Sequence, residues 1–234
     1  MFLLKKWWRD IFLYPKTSLR GSLDTYWSER GRGDGVGLSN WQKERAEYVL
    51  SILPGDGPTT VLDIGSGDGG VLQYLKDSRP GLRGIGVDAS PVALEALKQK
   101  GFEGMHLELA DSKNYALLPE ADYVIMFEII EHMPDSEALF ATARRIAKRG
   151  VFISIPNSGF FTYRLRLLFG KFPLQWVVFP SEHLRFWTVR DMHWWLAANG
   201  IPHAHIHTYQ GVPLLKHIVP SLFAAGMMVY IPHQ

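Results

Sequence analysis

Apolar residues gather in short runs through the middle of the chain, at VLDI (61–64), GIGV (84–87), MHLEL (105–109), YVIMF (123–127) and VFISI (151–155). Between these runs, VLQYLKDSRP, PVALEALKQKG and DSEALFATARRIAKRG carry apolar residues at helical spacing. They close on Pro80, Gly101 and Gly150, which cannot or need not continue a helix. Short strands alternating with helices at this interval predict a parallel α/β sheet. Further on, TVRDMHWWLAANG predicts a helix with Thr188 as N-cap, Asp191 at its third position and Gly200 as its stop. HAHIHTY and MMVYIPH predict two last strands, the first with His203, His205 and His207 on one face. No internal repeat or low-complexity tract interrupts the pattern.

The two flanks of this rhythm have their own character. In MFLLKKWWRDIFLY, helical spacing puts Leu4, Trp7, Trp8 and Ile11 on one side and Lys5, Lys6, Arg9 and Asp10 on the other. Tryptophan with lysine and arginine on one helix suits a peripheral membrane contact through residues 1–14. Docking on the chain's own domain or on a protein partner fits the same pattern. Residues 1–40 therefore form an arm, in which Tyr26 and Trp27 are placed to lid a bound ligand, and 41–234 form the main domain. Within that domain, residues 156–187 form an apolar insert with scattered Arg164, Arg166 and Lys171.

Composition narrows the chemistry. A chain of 234 residues suits one generous domain with an appendage, and 47% apolar with 21% charged residues is ordinary for a soluble globular protein. The net charge of +2 makes no case for nucleic acid. There is no cysteine, which excludes disulfides, thiolate metal sites, a cysteine nucleophile and thiolate-held iron–sulfur chemistry. No uninterrupted apolar run reaches the ~18 residues of a membrane-spanning helix, since IVPSLFAAGMMVYIP is broken by Pro220 and Gly226. Lysines also stand in MFLLKKWWRD where a signal peptide needs its apolar stretch. A cytoplasmic chain is the expectation.

The first apolar run breaks into glycines, VLDIGSGDGG. Gly65, Gly67 and Gly70 spell the dinucleotide fingerprint G-x-G-x-x-G. Gly65, Gly67 and Gly69 spell G-x-G-x-G, with Asp63 two residues ahead. Either way the loop opens beyond a strand's carboxyl end, where α/β sheets bind ligands, and glycines let backbone amides approach. The next strand ends in Asp88, 23 residues after Gly65, where a ribose-binding acid belongs. Ser90 and Pro91 can start the following helix, leaving Asp88 free for that role. Charge separates the two readings. A diphosphate at ~5 Å from Asp63 and Asp68 would suffer roughly 3 kcal/mol of repulsion from each at an effective dielectric near 20. An ammonium and a sulfonium would instead be attracted. A third polar group, Asp111 and Ser112 after MHLEL, offers an acceptor and an amide to an adenine, or is a solvated loop.

With VLDIGSGDGG, VDAS and AD at these spacings, residues 45–160 resemble the class I S-adenosylmethionine-dependent methyltransferases. The resemblance implies a Rossmann-like, mostly parallel seven-stranded sheet flanked by helices, with an antiparallel last strand. It implies S-adenosyl-L-methionine as cofactor, held by Asp63, Gly65, Ser66, Gly67, Asp88, Ala89, Asp111, Ser112 and Phe127. The later tracts IPNSGFFTYRLRLLFGKFP, HLRFWTVRDM and SLFAAGMMVYIP resemble the MetW-like branch, with Asn157, Arg164 and Arg166 the more telling residues. That branch implies an alternative role as a non-catalytic, cofactor-binding regulatory subunit. A nicotinamide oxidoreductase remains only through G-x-G-x-x-G.

The fourth strand ends in FEIIEHM, with Glu128, Glu131 and His132. Methyl transfer to oxygen needs the acceptor held in line and its proton removed, and histidine is poised for this near neutrality. Three readings of the cluster stay open. It can hold a divalent metal, as similar residues do in some ubiquinone-type O-methyltransferases, it can supply a base or acceptor contact, or it can be a bonded helix start. With one imidazole and no thiolate it makes no case for a transition metal. Glu182, His183 and Arg185 form a second polar group, with either an acceptor-side or a packing role. Catalytic candidates are thus His132, Glu131 and His183. No NPPY-like segment follows the fourth strand, so the acceptor is expected to be a small-molecule, lipid or sugar hydroxyl rather than nucleic acid.

Overall fold

The computed structural model describes residues 2–14, 24, 27–28, 37–55, 57–173 and 183–233. Seven strands, β1 (Thr59–Ile64), β2 (Leu82–Asp88), β3 (Glu103–His106), β4 (Ala121–Phe127), β5 (Ala147–Pro156), β6 (Ile206–Gly211) and β7 (Ala224–Pro232), form one sheet. Their order is β3-β2-β1-β4-β5-β7-β6, mostly parallel with an antiparallel last strand, as expected. Val61, Leu62 and Ile64 are fully buried in β1 because both faces of a parallel sheet are covered, which is why the strand reads as an unbroken apolar run. β1 lies between β2 and β4, pairing Ile64 with Val87 and with Met126. That register brings the carboxyl ends of β1, β2 and β4 side by side.

The helices described are α1 (Phe2–Phe12), α2 (Asn40–Ile52), α3 (Gly70–Ser78), α4 (Pro91–Gln99), α5 (Ser136–Ile146), α6 (Phe161–Leu168), α7 (Val189–Ala198), α8 (Leu215–Ile218) and α9 (Pro220–Phe223). Their starts follow capping chemistry. Ser90 accepts from the Ala93 amide with Pro91 in the first turn of α4, and Thr188 and Asp191 close a reciprocal box at α7. Ser39 and Gln42 do the same for α2.

Three expectations are corrected, each by sheet pairing or its absence. β3 ends at His106 rather than Leu109, because its partner β2 ends at Asp88, the last residue of the ladder. α5 stops at Ile146, and Ala147–Gly150 open β5 instead, paired with Ala121 and Tyr123 of β4. His203 lies in a turn and His205 precedes β6, so the three tail histidines do not share a strand face.

The chain divides into two compact units. One holds residues 21–155 and 228–234, the other residues 1–20 and 156–227. The first is built on β1, β2, β4 and β5 around Leu62, Ile125, Phe140 and Phe152, all buried. In the second, Trp187 meets Trp195 edge-on at 5.7 Å, and Met192, Leu196 and Tyr209 are buried. α1 belongs to this second unit, where Trp7 sits edge-on to Phe161 of α6 at 5.2 Å and Ile11 is buried. Trp8 is exposed, so among the described side chains of the expected stripe Trp7 and Ile11 are packed and Trp8 faces outward.

Candidate functional site

The loop after β1 takes the G-x-G-x-G form. Gly65, Gly67 and Gly69 have φ of 78°, 52° and 74°, whereas Gly70 is already the first residue of α3. The amides of Gly65 and Ser66 donate to the Val87 carbonyl at 2.7 and 3.0 Å, pinning the loop to the end of β2. A Cβ at Gly67 would run into the Trp27 indole, besides needing a conformation that L side chains avoid. Trp27 of the arm therefore lies against the glycine loop, while Tyr26 is outside the described residues.

Asp88 ties the two strand ends together. Its Oδ2 accepts from the Gly67 amide at 2.8 Å and its Oδ1 from the Ser90 amide at 2.9 Å. Burial raises its pKa, and the amides of Ser90, Gly67 and Ala89 pull it back. With three amides on its four lone-pair sites, the carboxylate keeps one for a ribose hydroxyl. The Ala89 carbonyl is bonded to the His106 ring at 2.9 Å, and the Ser90 hydroxyl donates to Asp24 of the arm at 2.5 Å. Asp24 and Trp27 thus reach the ends of β2 and β1 respectively.

Electrostatics single out Asp63. It is buried, and its pKa is pushed up to about 7 by that burial first and then by the Asp88 charge, against the pull of Arg45. Asp68 does not share the role expected of it. Lys100 Nζ lies 3.2 Å from its carboxylate and donates to its carbonyl, so its charge is compensated. A cleft lined by Trp27, Arg45, Asp63, Ser66, Gly67 and Phe127 opens here, with the Arg45 guanidinium 5.4 Å from the Phe127 ring centre. The buried Ser66 hydroxyl has no hydrogen-bond partner among the described residues. Asp111 is exposed and accepts from the Lys113 amide at 3.0 Å, capping the turn Ser112–Leu117. An ionisable buried carboxyl, an orphan hydroxyl and glycines at positive φ suit a ligand with cationic and hydroxyl groups.

Beyond β4 the chain turns sharply at Glu128, a non-glycine residue with φ 56°. Such strain persists where surrounding contacts enforce it. Here Arg45 Nη1 lies 2.9 Å from Glu128 Oε1, the Ser154 hydroxyl donates to that oxygen at 3.2 Å, and the Glu128 amide donates to the Ser154 carbonyl. Arg45 and Ser154 are site residues that sequence reasoning missed. The available signal was an arginine beside Ala46 and Val49 on the buried face of α2.

The next turn, Ile130–His132, carries the other two cluster residues. Glu131 is buried, neither carboxylate oxygen has a hydrogen-bond partner among the described residues, and burial with the Glu128 charge raises its pKa well above the usual range. His132 is half-buried, and its imidazole lies within 4.8 Å of the Glu131 carboxyl. The two can each offer a ligand atom, but a carboxyl that holds its proton is a poor cation ligand. His183 belongs to the second unit, with its ring 6.2 Å from that of Phe186. Glu182 lies outside the described residues.

Comparison with known proteins agrees with this geometry. A family described as a methyltransferase domain matches residues 38–202. The ubiquinone biosynthesis O-methyltransferase of Nitrosomonas europaea is 30% identical over 138 residues, 56% of this chain and 58% of that protein. The small RNA 2′-O-methyltransferase of Arabidopsis thaliana is 24% identical over 209 residues, 80% of this chain and 22% of that protein. The chain thus spans little more than half the length of the first relative. In fold it is similar to a Haloferax volcanii methyltransferase solved in complex with the Trm112 activator, with a TM-score of 0.60 at 17% identity over 92% of this chain and 99% of that one.

Proposed function

The chain belongs to the methyltransferase-domain family, and we propose that it is a methyltransferase that uses S-adenosyl-L-methionine and that it methylates a hydroxyl oxygen of a small-molecule or lipid-linked acceptor. Both curated relatives described above are named as O-methyltransferases although their acceptors differ, which supports oxygen as the accepting atom. The cofactor supplies a methyl already activated by a positive sulfur. What the chain must add is positioning, charge complementarity and removal of the acceptor's proton.

The residues divide these tasks. Asp63, ionised when a cation faces it, holds the amino-acid end of the cofactor, and Asp88 accepts from a ribose hydroxyl. Gly65, Ser66 and Gly67 bring backbone amides and the Ser66 hydroxyl close to it. Ala89, Asp111 and Ser112 serve the adenine end, and Phe127 walls the cleft. His132 takes the acceptor's hydroxyl proton, with the Glu131 carboxyl, kept protonated by burial, within 4.8 Å of it. The observation that carries this reading is the half-buried His132 within 4.8 Å of a buried carboxyl that has no hydrogen-bond partner among the described residues, at the end of the strand next to the glycine loop.

The test offers radiolabelled donor with soluble and membrane extracts to the parent chain and to His132→Ala. Label transferred by the parent into an alkali-stable ether, and lost in the variant, is expected. Label on nitrogen, or undiminished transfer by the variant, contradicts the reading.

A further inference from the structure

We propose that the outward face shared by the end of α1 and the end of α6 is a docking surface for an anionic lipid bilayer. The proposal does not depend on which acceptor is methylated. Among the described residues of this unit, Trp8, Phe12, Tyr14, Leu168, Phe169 and Phe172 are between 39% and 76% exposed. Trp8, Phe12, Phe169 and Tyr14 form one patch, and Leu168 and Phe172 flank Phe169 in the chain. Phe12 lies 5.7 Å from Trp8 and 5.4 Å from Phe169, ring centre to ring centre, and Tyr14 has the Arg166 and Lys171 cations at 5.1 and 4.9 Å from its ring. Contiguous exposed rings of this kind mark an interaction site.

Two observations choose the occupant. The first is the treatment of the backbone. The fully buried Arg166 donates from Nη1 to the carbonyls of Asp10, Ile11 and Leu13 at 2.9, 3.1 and 3.1 Å, and Lys171 Nζ donates to the Phe12 carbonyl at 2.8 Å. Four successive carbonyls at the end of α1 are therefore satisfied by side chains rather than left to water. The Ile11 bond lies in the interior of the unit, but the Asp10, Phe12 and Leu13 carbonyls are only part-buried or exposed, and at a lipid boundary each would be costly if left unsatisfied. The second is charge. Residues 2–14 and 161–173 carry six lysines and arginines against one acid, Asp10, although the whole chain has 25 against 23, and while Arg166 is buried, Lys5, Arg9 and Arg164 are exposed. Aromatic side chains with a local surplus of cations match anionic headgroups over an acyl boundary better than they match a protein surface. No helix among the described residues is long and apolar enough to cross a membrane, so the contact is peripheral.

The full chain is to be sedimented with vesicles of phosphatidylcholine alone and of equal parts phosphatidylcholine and phosphatidylglycerol. Binding to the anionic vesicles is expected to be at least about tenfold tighter than to the neutral ones and to weaken with salt. Leu168→Glu with Phe172→Glu should lower it at least about tenfold, while melting temperature and S-adenosylhomocysteine affinity stay unchanged because both side chains are exposed. Lys5→Glu with Arg9→Glu should remove the preference for anionic lipid. No binding to either vesicle overturns the proposal, as does binding that the Leu168 and Phe172 substitutions leave intact. Self-association in solution that those substitutions abolish, without vesicle binding, would assign the face to a second copy and equally overturn it.

Discussion

The Asp88 carboxylate closes the glycine loop onto the second strand, accepting the Gly67 amide at 2.8 Å through one oxygen and the Ser90 amide at 2.9 Å through the other. One side chain therefore shapes the loop and, in the proposed function, also takes a ribose hydroxyl. Asp88→Ala leaves two buried amides unpaired, so it should cost about 1–3 kcal/mol of folding stability as well as about tenfold or more in S-adenosylhomocysteine affinity. Urea denaturation alongside calorimetry checks both. Lost affinity with unchanged stability would mean that the amides do not depend on this carboxylate.

Asp63 titrates at about 7 in the folded chain against 3.8 for an ordinary aspartate. The folded state thus holds this proton more tightly than the unfolded one. The stability tied to it is fully present below pH 3.8 and is lost as pH rises to about 7. Asp63→Asn cannot ionise, so its stability should match the parent's in acid and exceed it above neutrality, by up to about 4 kcal/mol if the whole shift is realised. Denaturation curves across this range decide the matter. A variant less stable than the parent at alkaline pH would contradict the burial argument.

Gly67→Val places a side chain where φ is positive and where the Trp27 indole already lies. It should lose about 1–2 kcal/mol of stability to backbone strain and lose S-adenosylhomocysteine binding altogether. If calorimetry finds parent-like affinity, the cofactor does not approach this loop.

His132→Ala should bind S-adenosylhomocysteine normally and lose ~10²–10⁴ in turnover, with the acidic limb of the pH profile gone. A metal site would behave otherwise, with activity falling on chelation and Glu128→Ala as damaging as His132→Ala. Undiminished turnover would move the search for a base to His183. An absence of methyl transfer to any extract, with cofactor bound, would favour a regulatory subunit.

The sequence made the sheet legible because buried parallel strands must be apolar along their whole length, and it made the cofactor loop legible because Gly65, Gly67 and Gly69 take backbone angles that other residues avoid. What it hid was set by distant partners. Arg45 and Ser154 are 109 residues apart in the chain, and no local pattern announces their contact around Glu128. Asp68 reads as a free charge until Lys100 is seen beside it. The amphipathic arm is equally suited to docking on its own unit and to meeting lipid. Arg166, which bonds the carbonyls at the end of α1 from more than 150 positions away, is a partner that no pattern within the arm announces.

The central claim is that this loop receives S-adenosyl-L-methionine with Asp63 facing its cationic end. Calorimetric titration of the parent and of Asp63→Asn with S-adenosylhomocysteine, whose ammonium persists throughout, from about pH 6 to about pH 8 tests it most directly. The account predicts that parent affinity rises as Asp63 ionises through about 7, that the variant binds more weakly with little dependence on pH, and that NADH binds neither. Tight NADH binding, or S-adenosylhomocysteine affinity that is the same in both chains at every pH, would contradict it.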